Sequence, residues 1–301
     1  MIDTIVFSGG GADGALFVGA IKALIEHDKE FDLDAIKTAV GYSVGSIMAV
    51  MVGMRMTPEE IEQSMFTGFV TGALSKLDIN NLLNLPIRLG IDDGHKIMEW
   101  LGNIMSNHGI DRHITLKRFH QLTGNTLVIA ATNLTHMRTE FLDAQTAPDL
   151  PVLKAVRMST SVPILFTPVS WQGSLYIDGD AIPTKYLDCV DLGSDRSALE
   201  LNIVDRPEEC QSNTEDPTPN FQTYMLMLYR VLVTRRASSP AAAKSRRIID
   251  IPSISMSQSS PIRYNFMSLQ LETHAEARSA MDQFVREGYN ATHSQIFSSD
   301  Q

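Results

Sequence analysis

With 301 residues, 44% of them hydrophobic and 20% charged, the chain can bury one large core. That excludes a largely disordered protein and leaves too little for two full enzyme domains. The 35 acidic residues outnumber the 25 basic ones, and the net charge of −10 excludes non-specific binding of nucleic acid while leaving lipid surfaces open.

Cys189 and Cys210 make neither a disulfide framework nor a metal-type pairing, so reduced intracellular thiols and no bound metal are expected. Met1-Ile2-Asp3-Thr4 lacks a basic n-region and leads into no long apolar h-region, which argues against a signal peptide. Every apolar run breaks before the roughly 18 residues that a spanning helix needs. A cytoplasmic protein that visits a membrane surface transiently is the expectation.

The run at 4–7 is short, apolar and β-rich, hence a buried strand. It enters Ser8-Gly9-Gly10-Gly11-Ala12-Asp13-Gly14, after which 15–26, apolar nearly all round, reads as a buried helix. A second strand at 38–40 enters Gly41-Tyr42-Ser43-Val44-Gly45, followed by an apolar helix at 46–54. Strand, glycine turn and helix, twice over, imply parallel strands with crossover helices: an α/β fold with a mostly parallel central sheet flanked by helices.

Thr57-Pro58-Glu59-Glu60 starts a helix, with Thr as N-cap, Pro in the first position and acids in the first turn. The Leu- and Asn-rich stretch 67–90 reads as a mobile cover over the site. Asp92-Asp93-Gly94 precedes a helix at 95–106. Strands at 126–132 and 139–143 pair, 150–159 is helical, a short strand at 175–177 delivers Asp178, and 199–204 is one more strand. The acidic, Pro-containing 205–219 reads as a surface loop and 221–233 as a helix. The basic stretch from Arg235 to Arg247 reads as a solvated face, with anionic phospholipid as the other contact it suits. A long helix at 269–289 closes the pattern. Nothing forces a second domain, so 1–301 reads as one, with a motif-bearing core over about 4–205 and a helical part over about 220–292.

Three segments carry chemistry. Gly41-Tyr42-Ser43-Val44-Gly45, between a strand and a helix, is a nucleophile elbow with Ser43 as nucleophile. The glycine run after the first strand fits two patterns. Gly9-x-Gly11-x-x-Gly14 matches a dinucleotide fingerprint, and the same backbone N–H groups suit an oxyanion hole. The fingerprint expects an acidic residue at the end of the second strand. Gly41-Tyr42-Ser43 stands there instead, which favours the oxyanion reading and no cofactor. A Ser needs a base, and none of the eight histidines sits in a turn built for one. Tyr176-Ile177-Asp178-Gly179-Asp180 does place a carboxylate at a strand end, where desolvation raises its basicity.

These three segments, in this order, resemble the patatin-like phospholipases. The likeness extends to Asp93-Gly94-His95-Lys96, Ala131-Thr132-Asn133-Leu134, the block Ala155-Val156-Arg157-Met158-Ser159-Thr160-Ser161-Val162-Pro163 running on to Pro168, and the terminal Glu287-Gly288-Tyr289-Asn290-Ala291-Thr292. The resemblance implies a fold similar to the cytosolic phospholipase A2 catalytic domain, with no metal in the chemistry. It implies a lipid acyl hydrolase of phospholipase A or lysophospholipase type with a Ser–Asp dyad. Ser43 attacks, Asp178 takes the proton, and the backbone of Gly9, Gly10 and Gly11 holds the oxyanion. Phospholipid or another acyl-ester lipid is the implied partner.

Two residues depart from the family pattern. Asp13 stands where Lys or Arg is common, and Asp180 where Gly or Ala is usual. If Asp13 faces the site it opposes the oxyanion, and Asp13→Lys then raises the rate. Asp180 beside Asp178 raises that carboxyl's pKa by like-charge repulsion. Both suggest an alternative: a catalytically weakened relative that binds lipid or a protein partner.

Overall fold

An apolar strand needs cover on both faces, and Thr4–Phe7 has it: all four residues are buried in β1 (Thr4–Phe7). The computed structural model describes residues 1–74, 85–191, 196–204, 246–254, 264–265, 268–269 and 274–298. After β1, a 3-10 turn (Gly11–Ala15) leads into α1 (Leu16–His27), β2 (Thr38–Tyr42), α2 (Val44–Gly53), α3 (Pro58–Val70) and the short α4 (Leu85–Arg88). There follow β3 (Gly90–Asp92), α5 (His95–Asn107), α6 (Leu116–Thr123), β4 (Thr126–Asn133), β5 (Arg138–Leu142), α7 (Val152–Ser159), β6 (Ile164–Phe166) and β7 (Val169–Trp171). Next are β8 (Ser174–Ile177), α8 (Tyr186–Cys189), β9 (Ala198–Val204), β10 (Arg246–Pro252), the strand pair β11 (Tyr264–Asn265) and β12 (Ser268–Leu269), and α9 (His274–Ser298).

The main sheet runs β10-β9-β1-β2-β4-β8-β7, with β5 also on β4. From β10 to β4 every neighbouring pair is parallel. β5, β7 and β8 are antiparallel additions, so the sheet is mostly but not purely parallel. Alternation sorts its faces. Ile5, Phe7, Ala39, Leu127 and Ile129 join the main core, while Val6, Val40, Tyr42, Val128 and Ala130 form a smaller cluster with Phe141, Tyr186 and Leu187.

Most expected elements stand within a residue or two of their sequence positions, and the Thr57 start of α3 is a full capping box with Glu60. Others shift. The helix expected at 269–289 runs His274–Ser298, because its buried positions Ala277, Ala280, Met281, Phe284, Gly288, Thr292 and Ile296 keep helical spacing beyond residue 289. Leu269 lies in β12 instead. α9 packs on α1 at a close crossing: a methyl at Gly19 would lie 1.9 Å from Val285 O, and one at Gly288 would lie 2.0 Å from Leu16 O.

The end of the basic stretch is not a solvated face. Arg246 and Arg247 open β10. Arg246, with 5% of its side chain exposed, pairs with Glu200 and Asp188, and Arg247 pairs with Asp28. The expected loop at 205–219, the helix at 221–233 and Arg235 through Ser245 lie outside the described residues, as does 75–84 of the expected cover.

Candidate active site

β2 ends at Tyr42 and α2 begins at Val44, so Ser43 makes the whole turn. It does so at φ 48° and ψ −125°, a region costly for a residue with a side chain. Packing holds it there. A methyl at Gly41 would lie 2.2 Å from Gly45 O, and one at Gly45 would lie 2.4 Å from both Phe7 O and Ser8 O. The first turn of α2 thus rests directly on the end of β1. Ser43 is 8% exposed, and its hydroxyl does not cap α2. The N–H groups at the start of α2 have no partner within the helix and carry its positive dipole end.

Asp178 arrives from the opposite direction. In the parallel register Tyr42 pairs with Ala130, while antiparallel β8 pairs Ile177 with Thr132. β8 therefore leads back toward Ala130, and a methyl at Gly179 would lie 2.2 Å from Ala130 O. The antiparallel return brings the Asp178 turn down to the level of Ser43. Asp178 is fully buried, and its Oδ1 accepts the Asp180 N–H at 2.9 Å. Tyr176, one residue before Ile177, donates its hydroxyl to Glu140 Oε2 at 2.8 Å. Burial and Glu140 push that phenol up to about 12.

Ser159 joins the two halves. Its Oγ accepts the Ser43 N–H at 2.9 Å, and its carbonyl accepts the Gly179 N–H at 3.0 Å. Ser161 O accepts the Asp178 N–H at 2.9 Å. No direct hydrogen bond links Ser43 Oγ to Asp178 among the described residues. Behind this segment lies Arg157, 7% exposed. It donates to Ser161 Oγ at 2.6 Å, Asp93 O at 2.8 Å and Thr167 O at 2.8 Å. Burial pulls its pKa down to about 10, against the opposing pull of Asp92 and Asp93. Sequence reasoning gave Arg157, Ser159 and Ser161 no role, although the block that contains them was part of the family pattern.

The glycine loop completes the cluster. A methyl at Gly9 would lie 2.0 Å from Asp180 Oδ2 and 3.1 Å from Ser43 Cβ, so Gly9 sits between the elbow and the Asp turn. Gly10 backs onto Ile203 and Gly14 onto Val44. Gly11 and Ala12, not Gly9 or Gly10, line the cavity that opens at Ser43. Its other walls are mostly apolar: Ile47, Met65, Phe69, Ile97, Leu165 and Phe166.

Asp13 does not line that cavity. It is fully buried, and its Oδ2 accepts the Ser253 hydroxyl at 2.6 Å, just beyond β10. Asp13→Lys is therefore expected to destabilise the fold by about 3–5 kcal/mol, because it buries an ammonium opposite a hydroxyl. Thermal unfolding measures that loss, and no gain in rate should accompany it.

The patatin-like phospholipase family model matches residues 5–187. A probable lipid hydrolase of Invertebrate iridescent virus 6 is 30% identical over 178 residues, 58% of this chain and 59% of that protein. The match thus spans less than two thirds of that relative. An uncharacterized protein of Acanthamoeba polyphaga mimivirus is 31% identical over 229 residues, 75% of this chain and 74% of that one. VipD from Legionella pneumophila superposes with a TM-score of 0.50 at 16% identity, covering 99% of this chain and 67% of that one, a likeness of fold alone. Matched by the family model over most of its length, the chain belongs to the patatin-like phospholipase family.

Proposed function

We propose that the chain is a lipid acyl hydrolase working through Ser43 and Asp178. The observation that carries this is the shared anchor at Ser159. One residue ties the amide of a strained, cavity-facing serine to the turn of a buried carboxylate. Family membership and the relative named as a probable lipid hydrolase support the reading. So does a triacylglycerol lipase of Arabidopsis thaliana, 30% identical over 168 residues but matched over only 19% of its length.

In this mechanism Ser43 Oγ attacks the ester carbonyl carbon and its proton passes to the Asp178 carboxylate. The tetrahedral oxyanion is held by the glycine-loop backbone. Within the expected Gly9, Gly10 and Gly11 set, Gly11 faces the cavity, together with Ala12 and Val44. These three open a 3-10 turn and a helix, where N–H groups are free of intrahelical partners. Collapse expels the alcohol, which takes the proton from Asp178 and leaves an acyl ester on Ser43. Water then attacks that ester, gives its proton to Asp178 and releases the fatty acid, and the proton returns to Ser43. The apolar walls would hold the acyl chain. No helix among the described residues is long and apolar enough to cross a membrane, so lipid would be met at a surface.

Labelling with a fluorophosphonate ester, followed by peptide mapping, tests the nucleophile. The expected result is one adduct on Ser43 that Ser43→Ala abolishes; an adduct on another serine, or none in the presence of micelles, overturns the assignment. Ser159→Ala tests the anchor. With the Ser43 amide left without its acceptor, stability should fall by about 1–3 kcal/mol. Misplacing the nucleophile should lower kcat about 10- to 100-fold, with KM changing less than about twofold.

A further inference from the structure

The cavity at Ser43 has an open end and a closed one. At the open end its walls are exposed or half-buried residues: Gly11, Ala12, Lys96 and Val162. At the other end the walls are buried. Val44 and Ile47 stand three apart on one face of α2, and Met65 and Phe69 four apart on one face of α3. Ile47 lies only about 6 Å along the α2 axis from Ser43. An acyl chain with its carbonyl at Ser43 and its tail inward runs toward Met65 and Phe69.

That end is backed by fixed structure. Phe69 stacks on Phe284 of α9, with ring centroids 5.8 Å apart and planes at 24°, and both rings are buried. Phe284 stands one turn before Gly288, where α9 crosses α1 so closely that a methyl would lie 2.0 Å from Leu16 O. Phe66, three residues before Phe69, is held by α9 as well. It sits edge-on to His274 at 4.8 Å and under the Arg278 guanidinium at 3.8 Å. Lengthening the cavity past Phe69 therefore means moving helices, not turning one side chain. The cavity holds about 110 Å³. A cavity of roughly 150 Å³ takes up one benzene, so this one has room for about six chain carbons at most.

We propose that the Phe69–Phe284 stack, with Met65 beside it, is a stop that limits acyl length, so that the site takes acyl groups of about six carbons or fewer in preference to long chains. This rests on the acyl-hydrolase reading of Ser43 and names the acyl class that reading leaves open. The first arm of the test is kcat/KM of the full chain on p-nitrophenyl butanoate, hexanoate and decanoate. The second is calorimetric titration of the Ser43→Ala chain with pentyl methyl ketone and nonyl methyl ketone. These carry the hexanoyl and decanoyl chains on a carbonyl without an ester bond.

From butanoate to hexanoate kcat/KM should rise about fourfold per added methylene, the gain from burying each one. From hexanoate to decanoate it should fall at least about 10-fold, the scale of overpacking. Pentyl methyl ketone should bind at least about 10-fold more tightly than nonyl methyl ketone. Phe69→Ala should make decanoate the best of the three esters. Phe69→Leu, a smaller change that guards against loss of the fold, should narrow the gap between hexanoate and decanoate and between the two ketones. Decanoate cleaved as well as hexanoate, or a gap that both Phe69 variants leave in place, overturns the stop and leaves the hydrolase reading intact. No ester cleaved, with the ketone preference present and lost on Phe69→Leu, sinks the hydrolase reading and leaves the stop standing. If no ester is cleaved and neither ketone binds, both fall.

Discussion

Asp178→Asn should fold like the parent protein and turn over about 10⁴-fold more slowly. The amide has the shape of the carboxylate, and its Oδ1 can still accept the Asp180 N–H that Asp178 accepts at 2.9 Å. The backbone bonds to Ser159 and Ser161 do not involve the side chain. The change removes a charge from a site with no solvent exposure, so stability should hold or rise. Basicity alone is lost. The measurement is kcat on a micellar ester, read beside the melting temperature. Turnover within about 10-fold of the parent, in a protein with unchanged melting, would remove Asp178 from the chemistry.

The second large effect separates folding from function at two glycines. Gly45→Ala puts a methyl 2.4 Å from two main-chain oxygens at the end of β1, Phe7 O and Ser8 O. Backbone atoms in a buried strand cannot swing aside. The first turn of α2 must lift off the sheet, at a cost above about 3 kcal/mol, and soluble folded protein should be scarce. Gly9→Ala meets a side chain instead, Asp180 Oδ2 at 2.0 Å. A carboxylate can rotate, so this variant should fold. The rotation disturbs the turn whose N–H holds Asp178, and activity should fall at least about 10-fold. Circular dichroism with an esterase assay distinguishes the two. A folded, active Gly45→Ala protein would mean that the strand and helix are not in contact as described.

What the sequence disclosed and what it hid divide along chain distance. β1, the elbow and the α3 capping box are local patterns, each complete within a handful of residues, and each stands where those patterns put it. The orientation of Asp13 depends on Ser253, 240 residues away. No local pattern can say that a carboxylate in a glycine loop turns toward a distant strand instead of the cavity. The antiparallel return of β8 was hidden for a related reason. A short strand ending in Asp-Gly reads alike in either direction, and only the Thr132 and Ala130 neighbours set its sense. Arg246 and Arg247 read as solvated because their acids, Glu200, Asp188 and Asp28, lie far off in sequence. Ser159 was legible as part of a family block but not as an acceptor, since its donor is 116 residues away.

The distance between Asp13 and its partner also sets a timetable for the molecule's birth. At about 5–20 residues per second, the ribosome needs roughly 12 to 48 s to add the 240 residues that separate Asp13 from Ser253. α1 waits longer still, because Gly19 is covered by Val285 and Tyr289 of α9. The elbow serine is thus made long before the segments that secure the loop beside it. A nascent chain carries Ser43 well before the scaffold around it is finished, so any esterase activity should arise abruptly, only once α9 docks on α1.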